Sequence, residues 1–197
     1  FQMTFAIITP ALVIGAYVER MKFSAVLIFS VLWLLFVYAP VTHWVWGGGI
    51  MAGWGVMDFA GGIVVHATAG TAALVCAVMV GRRRHFPQSQ IPPHSPALTM
   101  IGASMLWVGW FGFNGGSQLA MGTISDVADV SRIFSNTNAA AAGGALVALI
   151  MTQLMYKKAD LTMVLNGALA GLVSITAEPL TPSLGMATII GGIGGAI

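Results

Sequence analysis

The chain has 197 residues, of which 57% are hydrophobic and only 7% are charged, and its mean hydropathy is +0.89. Soluble domains carry about 25% charged residues, so this composition excludes an ordinary soluble protein and predicts an all-α polytopic membrane protein without a nucleic-acid partner. The one cysteine, Cys76, excludes an intramolecular disulfide and a cysteine-based metal site.

Charge-free segments divide the chain into predicted membrane spans. The second segment, residues 23–57, is too long for one helix, and we expect Pro40 and the Trp/Gly-rich stretch 44–55 to divide it into a span and a re-entrant or interfacial loop. We therefore predict six helices and the start of a seventh in the final stretch, 179–197. The six lie near residues 1–18, 23–40, 59–80, 97–120, 135–156 and 161–177.

The basic residues predict an orientation in the cell membrane. Seven of the eight lie in the loops after the first, third and fifth helices, whereas the other loops carry four acidic residues and only Arg132. The positive-inside rule therefore places residue 1 on the outer side. Phe1 opens directly into an apolar run and Ile197 ends another, so we expect an internal piece of a longer protein.

His66 lies in a charge-free stretch, residues 59–81, that is otherwise apolar or small. An α-helical rise puts it about 12 Å along the axis from Asp58, near the midplane of a hydrocarbon layer about 30 Å thick if Asp58 marks the surface. Gly62, His66 and Gly70 would share one helix face. An ionisable group at that depth indicates a pore or proton-relay role; the alternative is a buried histidine satisfied by a carbonyl or hydroxyl group.

The fourth predicted helix carries two stripes. Trp110, Phe113 and Ser117 form one, with two aromatic rings and then a hydroxyl group towards the outer end. Glycines at 109, 112 and 116 form the other. Aromatic faces and a hydroxyl at an outer mouth are able to bind a small cation. The alternative is that the glycines are a packing seam and the rings only fill space.

The remaining polar candidates have plainer explanations. Trp44, Trp46 and Trp54 fall in the predicted outer loop, where tryptophans commonly anchor membrane proteins. Asp58 opens a helix, and we expect its carboxylate to cap free N–H groups. The histidines do not indicate a metal site, because His43, His85 and His94 are predicted in loops outside, inside and inside. Arg82–Arg84 is a topology signal, with a contact to phospholipid or a cytosolic regulatory protein as the alternative.

Five strings of residues, in order along nearly the whole chain, resemble the ammonium transporter family (Amt/Mep/Rh). The resemblance implies the third to ninth helices of an eleven-helix fold with inverted repeats, that is, a partial transporter domain over 1–197 that belongs to a homotrimer and needs no cofactor. The strings are Phe1-Gln-Met-Thr-Phe, Phe23-Ser-Ala-Val-Leu-Ile-Phe, Trp46-Gly-Gly-Gly, Asp58-Phe-Ala-Gly-Gly-Ile-Val-Val-His66 and Gly109-Trp-Phe-Gly-Phe-Asn-Gly-Gly-Ser117.

The resemblance also implies roles for single residues at the outer mouth. Trp46 and Ser117 would recruit the ammonium ion, and Phe1 and Phe113 would be the stacked rings that close the pore beneath it. Asp58 would support this outer site. Because both Trp46 and Ser117 are present, the chain resembles the ammonium-scavenging branch rather than the Rh branch.

Deeper in the pore, the resemblance implies that His66 is the first of two hydrogen-bonded histidines and Trp110 a pore-lining aromatic. Thr176 matches a threonine near the outer vestibule. The second histidine would lie beyond Ile197, so we expect transport of ammonium or ammonia only from the full-length parent.

Two rival functions use the same residues. One is an ammonium sensor without flux. The other is an intramembrane serine hydrolase with Ser117 or Ser104 as nucleophile and His66 as base. The predicted depths disfavour the hydrolase, because Ser117 lies near the outer surface and His66 near the middle.

Overall fold

The computed structural model describes residues 1–84, 86–89 and 91–197, and the regular structure in this part of the chain is entirely helical. The chain forms two compact units, Phe1–Pro92 and Pro93–Ile197. The predicted all-helical class is confirmed. The single domain predicted over 1–197 stays a prediction.

Five α-helices make up the first unit, joined in places by tighter or wider turns. They are α1 (Gln2–Ala11), α2 (Phe23–Trp33), α3 (Ala39–Trp46), α4 (Ile50–Gly53) and α5 (Thr68–Val80). A 3₁₀ turn, Ile14–Ala16, follows α1. The guanidinium group of Arg20 donates hydrogen bonds to the carbonyls of Ala16 and Gly81, so it ties together the ends of the first helix and of α5.

The predicted break at Pro40 is wrong. Helical structure runs without interruption from α2 through a π turn, Leu34–Tyr38, into α3, which contains Pro40 and ends at Trp46. Proline usually breaks a helix because it lacks an N–H group. The π turn shifts the hydrogen-bond pattern by one residue just before Pro40. The helix therefore continues through Pro40 although this residue has no N–H group to donate.

A second π turn, Gly62–Ala67, opens the helix that continues as α5. The N–H groups of Val65 and His66 both reach the carbonyl of Gly61, at 3.0 Å each. The helix predicted near 59–80 therefore begins at residue 62, and its first turn is wider than an α turn. Gly62 and His66 lie within this wider turn, so the shared face predicted for Gly62, His66 and Gly70 from α geometry does not hold unchanged.

Four helices make up the second unit: α6 (Pro96–Gly116), α7 (Ile124–Tyr156), α8 (Leu161–Ile175) and α9 (Leu184–Ala196). The start predicted for α7 near residue 135 is wrong, since its 33 residues begin at Ile124. Thr123 and Asp126 form a capping box at its N-terminus, with hydrogen bonds of 3.1 and 2.9 Å. Charged residues expected in a loop therefore lie on the first turns of α7.

Small residues let α7, α8 and α9 approach each other closely. A Cβ added at Gly144 of α7 would lie 2.1 Å from the carbonyl oxygen of Gly167 on α8, and one at Gly195 of α9 would lie 2.2 Å from the Gly144 carbonyl oxygen. Side chains larger than hydrogen would separate these backbones. This is the small-residue packing expected between helices in lipid.

Four helical segments are long and apolar enough to cross a membrane: Phe23–Gly53, Gly62–Val80, Pro96–Gly116 and Ile124–Tyr156. Three shorter apolar helices, Gln2–Ala16, Leu161–Ile175 and Leu184–Ala196, accompany them. Over the described residues this gives seven helical segments, so the predicted six helices and start of a seventh are confirmed in number.

Candidate functional site

In the first unit, the carboxylate of Asp58 caps the helix that carries His66. Its Oδ1 accepts a hydrogen bond from the N–H of Gly61, and its Oδ2 accepts one each from Ile63 and Val64, all at 2.9 Å. Asp58 is only 8% exposed. The three N–H groups stabilise the charge of a carboxylate that would be costly to bury alone. The predicted capping role is therefore confirmed.

Trp46 is fixed by the same segment. Its indole N–H donates to the backbone carbonyl of Asp58 at 2.7 Å, and its ring packs edge-on against Phe5 with centroids 5.8 Å apart. Trp44 and Trp46 lie in α3, so their predicted position in the outer loop is wrong, whereas Trp54 directly follows α4. The Trp46 side chain is thus held in one orientation by a hydrogen bond and a ring contact.

Phe5 is the residue that sequence reasoning missed. It is 2% exposed and contacts Trp46, whereas Phe1 is 54% exposed and reaches Phe5 edge-on at 5.0 Å. The signal was present, because the string that begins at Phe1 has a second phenylalanine one helical turn later. The gate role of Phe1 stays a prediction.

His66 lies in the π turn and is partly rather than fully buried. Val64 and Val65, its predecessors, are fully buried. A Cβ added at Gly70, one turn further along, would meet nothing within 4 Å. The described residues therefore leave space beside α5 at Gly70. The pore role of His66 stays a prediction.

In the second unit, Trp110 joins two predicted site residues. Its indole stacks on Phe113 with centroids 5.2 Å apart, and its N–H donates to the hydroxyl oxygen of Thr176 at 2.8 Å. Thr176 is fully buried, and its hydroxyl group donates a hydrogen bond to the Leu172 carbonyl at 2.6 Å. Ala141 and Leu172 cover the Trp110 ring. The aromatic stripe of α6 therefore faces α7 and α8.

Ser117 directly follows α6, half-buried, and donates its hydroxyl hydrogen to the Phe113 carbonyl at 2.9 Å. A hydroxyl oxygen keeps lone pairs after its hydrogen is donated. The glycine stripe behaves differently, because a Cβ at Gly109 or Gly112 would meet nothing within 4 Å. The described residues provide no packing partner for these two glycines.

Other sequence predictions remain without a structural test. Trp46 and Phe1 belong to the first unit, and Ser117 and Phe113 to the second, so the predicted outer site and the predicted ring stack stay predictions. His85 lies outside the described residues. Among the residues described, no group of three His, Cys, Asp or Glu side chains comes close enough to hold a metal ion.

The whole chain is similar to proteins of known family. The model of the Ammonium Transporter Family matches residues 1–197. The ammonium transporter of Bacillus subtilis is 46% identical over 202 residues, which cover 100% of this chain and 47% of that protein. Ammonium transporter Amt1 of Archaeoglobus fulgidus is 47% identical over 193 residues, which cover 98% of this chain and 46% of that protein.

Solved structures agree with the sequence matches. The crystal structure of Candida albicans Mep2 matches 100% of this chain and 44% of its own, with a TM-score of 0.90 at 35% identity. A structure titled Sensor Amt Protein matches 98% of this chain and 50% of its own, with a TM-score of 0.91 at 34% identity. The chain spans about half the length of the relatives it matches. It belongs to the Ammonium Transporter Family.

Proposed function

We propose that the full-length protein carries ammonium or ammonia across the cell membrane through a hydrophobic pore that contains His66, and that it is not an enzyme. The observation that supports this most is the arrangement of Asp58 and Trp46. One aspartate caps the His66 helix with its carboxylate and orients the Trp46 indole with its carbonyl. A fixed aromatic face beside a buried negative charge favours a small cation.

The recruitment site combines the Trp46 ring with the Ser117 hydroxyl oxygen. Ser117 uses its hydrogen on the Phe113 carbonyl, so its oxygen is left to accept a hydrogen bond. An ammonium ion donates N–H hydrogen bonds and a potassium ion of similar size does not. The site therefore selects ammonium by the direction of its N–H hydrogen bonds as well as by its positive charge.

Below this site, we propose that Phe5 takes the gate role predicted for Phe1, with Phe113 as the second gate ring. Phe5 is buried and in contact with Trp46, while the exposed Phe1 extends the aromatic cluster outwards. Crossing such an apolar constriction as an ion would be costly. The ion therefore transfers one proton to water near the gate, and the neutral ammonia that remains continues along the imidazoles.

The rest of the pore and of the assembly completes the proposal. Trp110 lines the path, fixed by Thr176, and His66 hydrogen-bonds ammonia or relays a proton together with a second histidine beyond Ile197. The protein works as a homotrimer with residue 1 on the outer side. A cytosolic regulatory protein contacts the basic inner loops.

Uptake of labelled methylammonium by cells that lack other ammonium uptake tests the proposal on the full-length protein. Trp46→Leu should raise the half-saturating concentration about tenfold, equivalent to about 1.4 kcal/mol of lost cation binding. Trp54→Leu is the matched control, because Trp54 is 72% exposed and follows α4, and it should leave uptake unchanged. Equal effects of both variants would contradict the recruitment site.

A second candidate function is an ammonium sensor without flux, which the likeness to the structure titled Sensor Amt Protein favours. The same cells distinguish the two functions. A sensor binds ammonium, measured by calorimetry on the purified full-length protein, but gives no uptake above the empty-vector level. Binding with uptake supports transport, and neither binding nor uptake would contradict both functions. A serine hydrolase with Ser117 as nucleophile gains no support, because the Ser117 hydroxyl hydrogen is donated to the Phe113 carbonyl.

A further inference from the structure

An apolar groove in the first unit has no role in the transport proposed above. Its main walls are α5 and the continuous helical segment that runs from α2 through the π turn into α3, and its volume is about 650 Å³. Small-molecule sites have volumes of roughly 300–1,000 Å³. Among the residues that the structure describes, those lining the groove carry no charge. The groove is therefore large enough for a ligand that is apolar where it lies inside.

Each wall of the groove is a stripe along one helical segment. From Thr68 to Val80, the stripe on α5 spans about 18 Å at the α-helical rise. The hydrocarbon layer of one leaflet is about 15 Å deep, half of the bilayer core. The groove is therefore long enough for an acyl chain of one leaflet. The α5 stripe includes Thr68, Val75 and Val80, and the opposite stripe includes Phe29, Trp33 and Val37.

The hydroxyl groups on the α5 wall are already used within their own helix. Thr68 donates to the carbonyl of Ile63, and Thr71 donates to the carbonyl of Ala67, at 2.8 Å each. Burying a polar group without a hydrogen bond is costly. Because both hydroxyl hydrogens are donated, an occupant without hydrogen-bonding groups covers this wall without leaving a hydroxyl donor unpaired.

The residues that line the groove favour an acyl chain over a further helix. Where α7 and α8 pack, glycines such as Gly144 and Gly167 bring the backbones together. No glycine lines the groove among the described residues. Val75 and Met79 instead present larger side chains, which are 51% and 81% exposed. A flexible methionine side chain adapts to an irregular neighbour, which suits a flexible hydrocarbon chain.

One end of the groove leads to basic residues on both walls. Met21 lines the groove and directly precedes Lys22, and Val80 also lines it, two residues before Arg82. Lys22 and Arg82 are both exposed, so a phosphate group is able to reach them. Both loops lie on the side that the positive-inside rule makes the inner side.

The charge at this end of the groove is strongly unbalanced. Residues 19–22 and 81–84 contain five basic residues and a single acidic residue, Glu19. The guanidinium group of Arg20 donates to the carbonyl of Gly81, so the two loops are held together. Clustered basic residues beside a membrane span attract the anionic phospholipids of the cytoplasmic leaflet. Positive charge and apolar groove together match the two parts of such a lipid.

We propose that the groove binds an acyl chain of an anionic phospholipid from the inner leaflet, with the lipid phosphate between Lys22 and Arg82. The inference goes beyond the proposed transport function, because it depends on membrane orientation and not on flux. The acyl chain covers the apolar walls from Val80 towards Thr68. The headgroup stays at the basic end, where its charge is balanced.

Native mass spectrometry of the purified full-length protein tests the apolar half of the site. The probe is dioleoyl phosphatidylglycerol, and dihexanoyl phosphatidylglycerol keeps its headgroup but shortens both chains. Val75→Trp fills the groove. Val78→Trp is the matched control, because Val78 lies on the same helix, is 75% exposed and is not among the lining residues. Val75→Trp should weaken binding of the dioleoyl lipid about tenfold, as should shortening the chains, and Val78→Trp should leave binding unchanged.

The basic half of the site is tested by comparison with dioleoyl phosphatidylcholine, which has the same chains and no net charge. The wild type should bind the phosphatidylglycerol at least about tenfold more tightly. Lys22→Gln combined with Arg82→Gln should abolish this preference. Lys157→Gln combined with Lys158→Gln is the matched control, because these two basic residues follow α7 in the second unit, and it should keep the preference.

Equal binding of the two dioleoyl lipids by the wild type would overturn the inference. Unchanged lipid binding by Val75→Trp together with a lower melting temperature would also overturn it, because a helix from elsewhere in the full-length protein would then fill the groove. An unchanged lipid preference after Lys22→Gln and Arg82→Gln would overturn it as well and would leave these residues to a cytosolic protein. Absence of uptake by a wild type that binds the lipid as expected contradicts only the proposed transport.

Discussion

Replacing Asp58 with alanine removes the acceptor of three backbone N–H groups at once. Each buried donor left unpaired costs about 1–3 kcal/mol, so the lower bound gives a loss of about 3 kcal/mol. Asp58→Asn keeps one acceptor oxygen, which is able to serve Ile63 and Val64. It turns an NH₂ group towards the Gly61 N–H, and we expect a smaller loss of about 1–2 kcal/mol.

The assay is thermal melting of the detergent-solubilised full-length protein, with Asp126→Ala as the matched control. Asp126 caps α7 through one hydrogen bond at an exposed position, and losing such a cap costs about 1 kcal/mol. Asp58→Ala should lower the melting temperature by about 3 °C, Asp58→Asn by less, and the control least. Equal losses for Asp58→Ala and Asp126→Ala would refute the reasoning, because the cap would then be no stronger than a solvated one.

Three further predictions concern packing, pH and flux. Gly144→Ala should destabilise the full-length protein by about 1–3 kcal/mol in thermal melts, because its Cβ would lie 2.1 Å from the Gly167 carbonyl oxygen; Gly102→Ala, which meets nothing within 4 Å, should be neutral or stabilising. Hydrogen bonds from the Thr162 side chain and the Met163 N–H lower the pKa of Asp160 below its ordinary value. Its cap on α8 therefore contributes fully above that ordinary value and is lost as pH falls through the folded value. The protection of the amide hydrogens in the first turn of α8, measured relative to their intrinsic exchange rates at each pH, should therefore fall in acid, and Asp160→Asn should abolish this acid dependence. His66→Ala should lower methylammonium uptake per folded protein while insertion and yield stay normal; reduced yield with unchanged uptake per folded protein would indicate a structural histidine.

The sequence predicted those parts of the fold that depend on hydrophobicity and short spacing. Charge-free segments gave the number of helical segments, because burying a charge in lipid is costly whatever the fold. The cap by Asp58 followed from the preference of carboxylates for free N–H groups at helix starts. The start of α7 was mistaken because its first turns carry charges, although Thr123 and Asp126 have the spacing of a capping box.

What could not be predicted depends on hydrogen-bond patterns and contacts between distant residues. A π turn has no local sequence signature, so the tolerance of Pro40 and the late start of the His66 helix were not visible. The contact of Phe5 with Trp46 joins α1 to α3. The hydrogen bond of Trp110 to Thr176 joins residues 66 positions apart. Spacing along one helix carries no information about either pair.

The π turn at Gly62–Ala67 also sets the rotation about the helix axis between the residues before it and α5. A π turn closes its hydrogen bonds over one more residue than an α turn, and each α-helical residue advances the chain by about 100° around the axis. A chain one residue shorter here would form a plain α-helix, but everything before the turn would be rotated by about that amount relative to Thr68. The length of this single turn therefore fixes the angular position around the helix axis of the Asp58 cap, and of the indole bonded to it, relative to the rest of the helix.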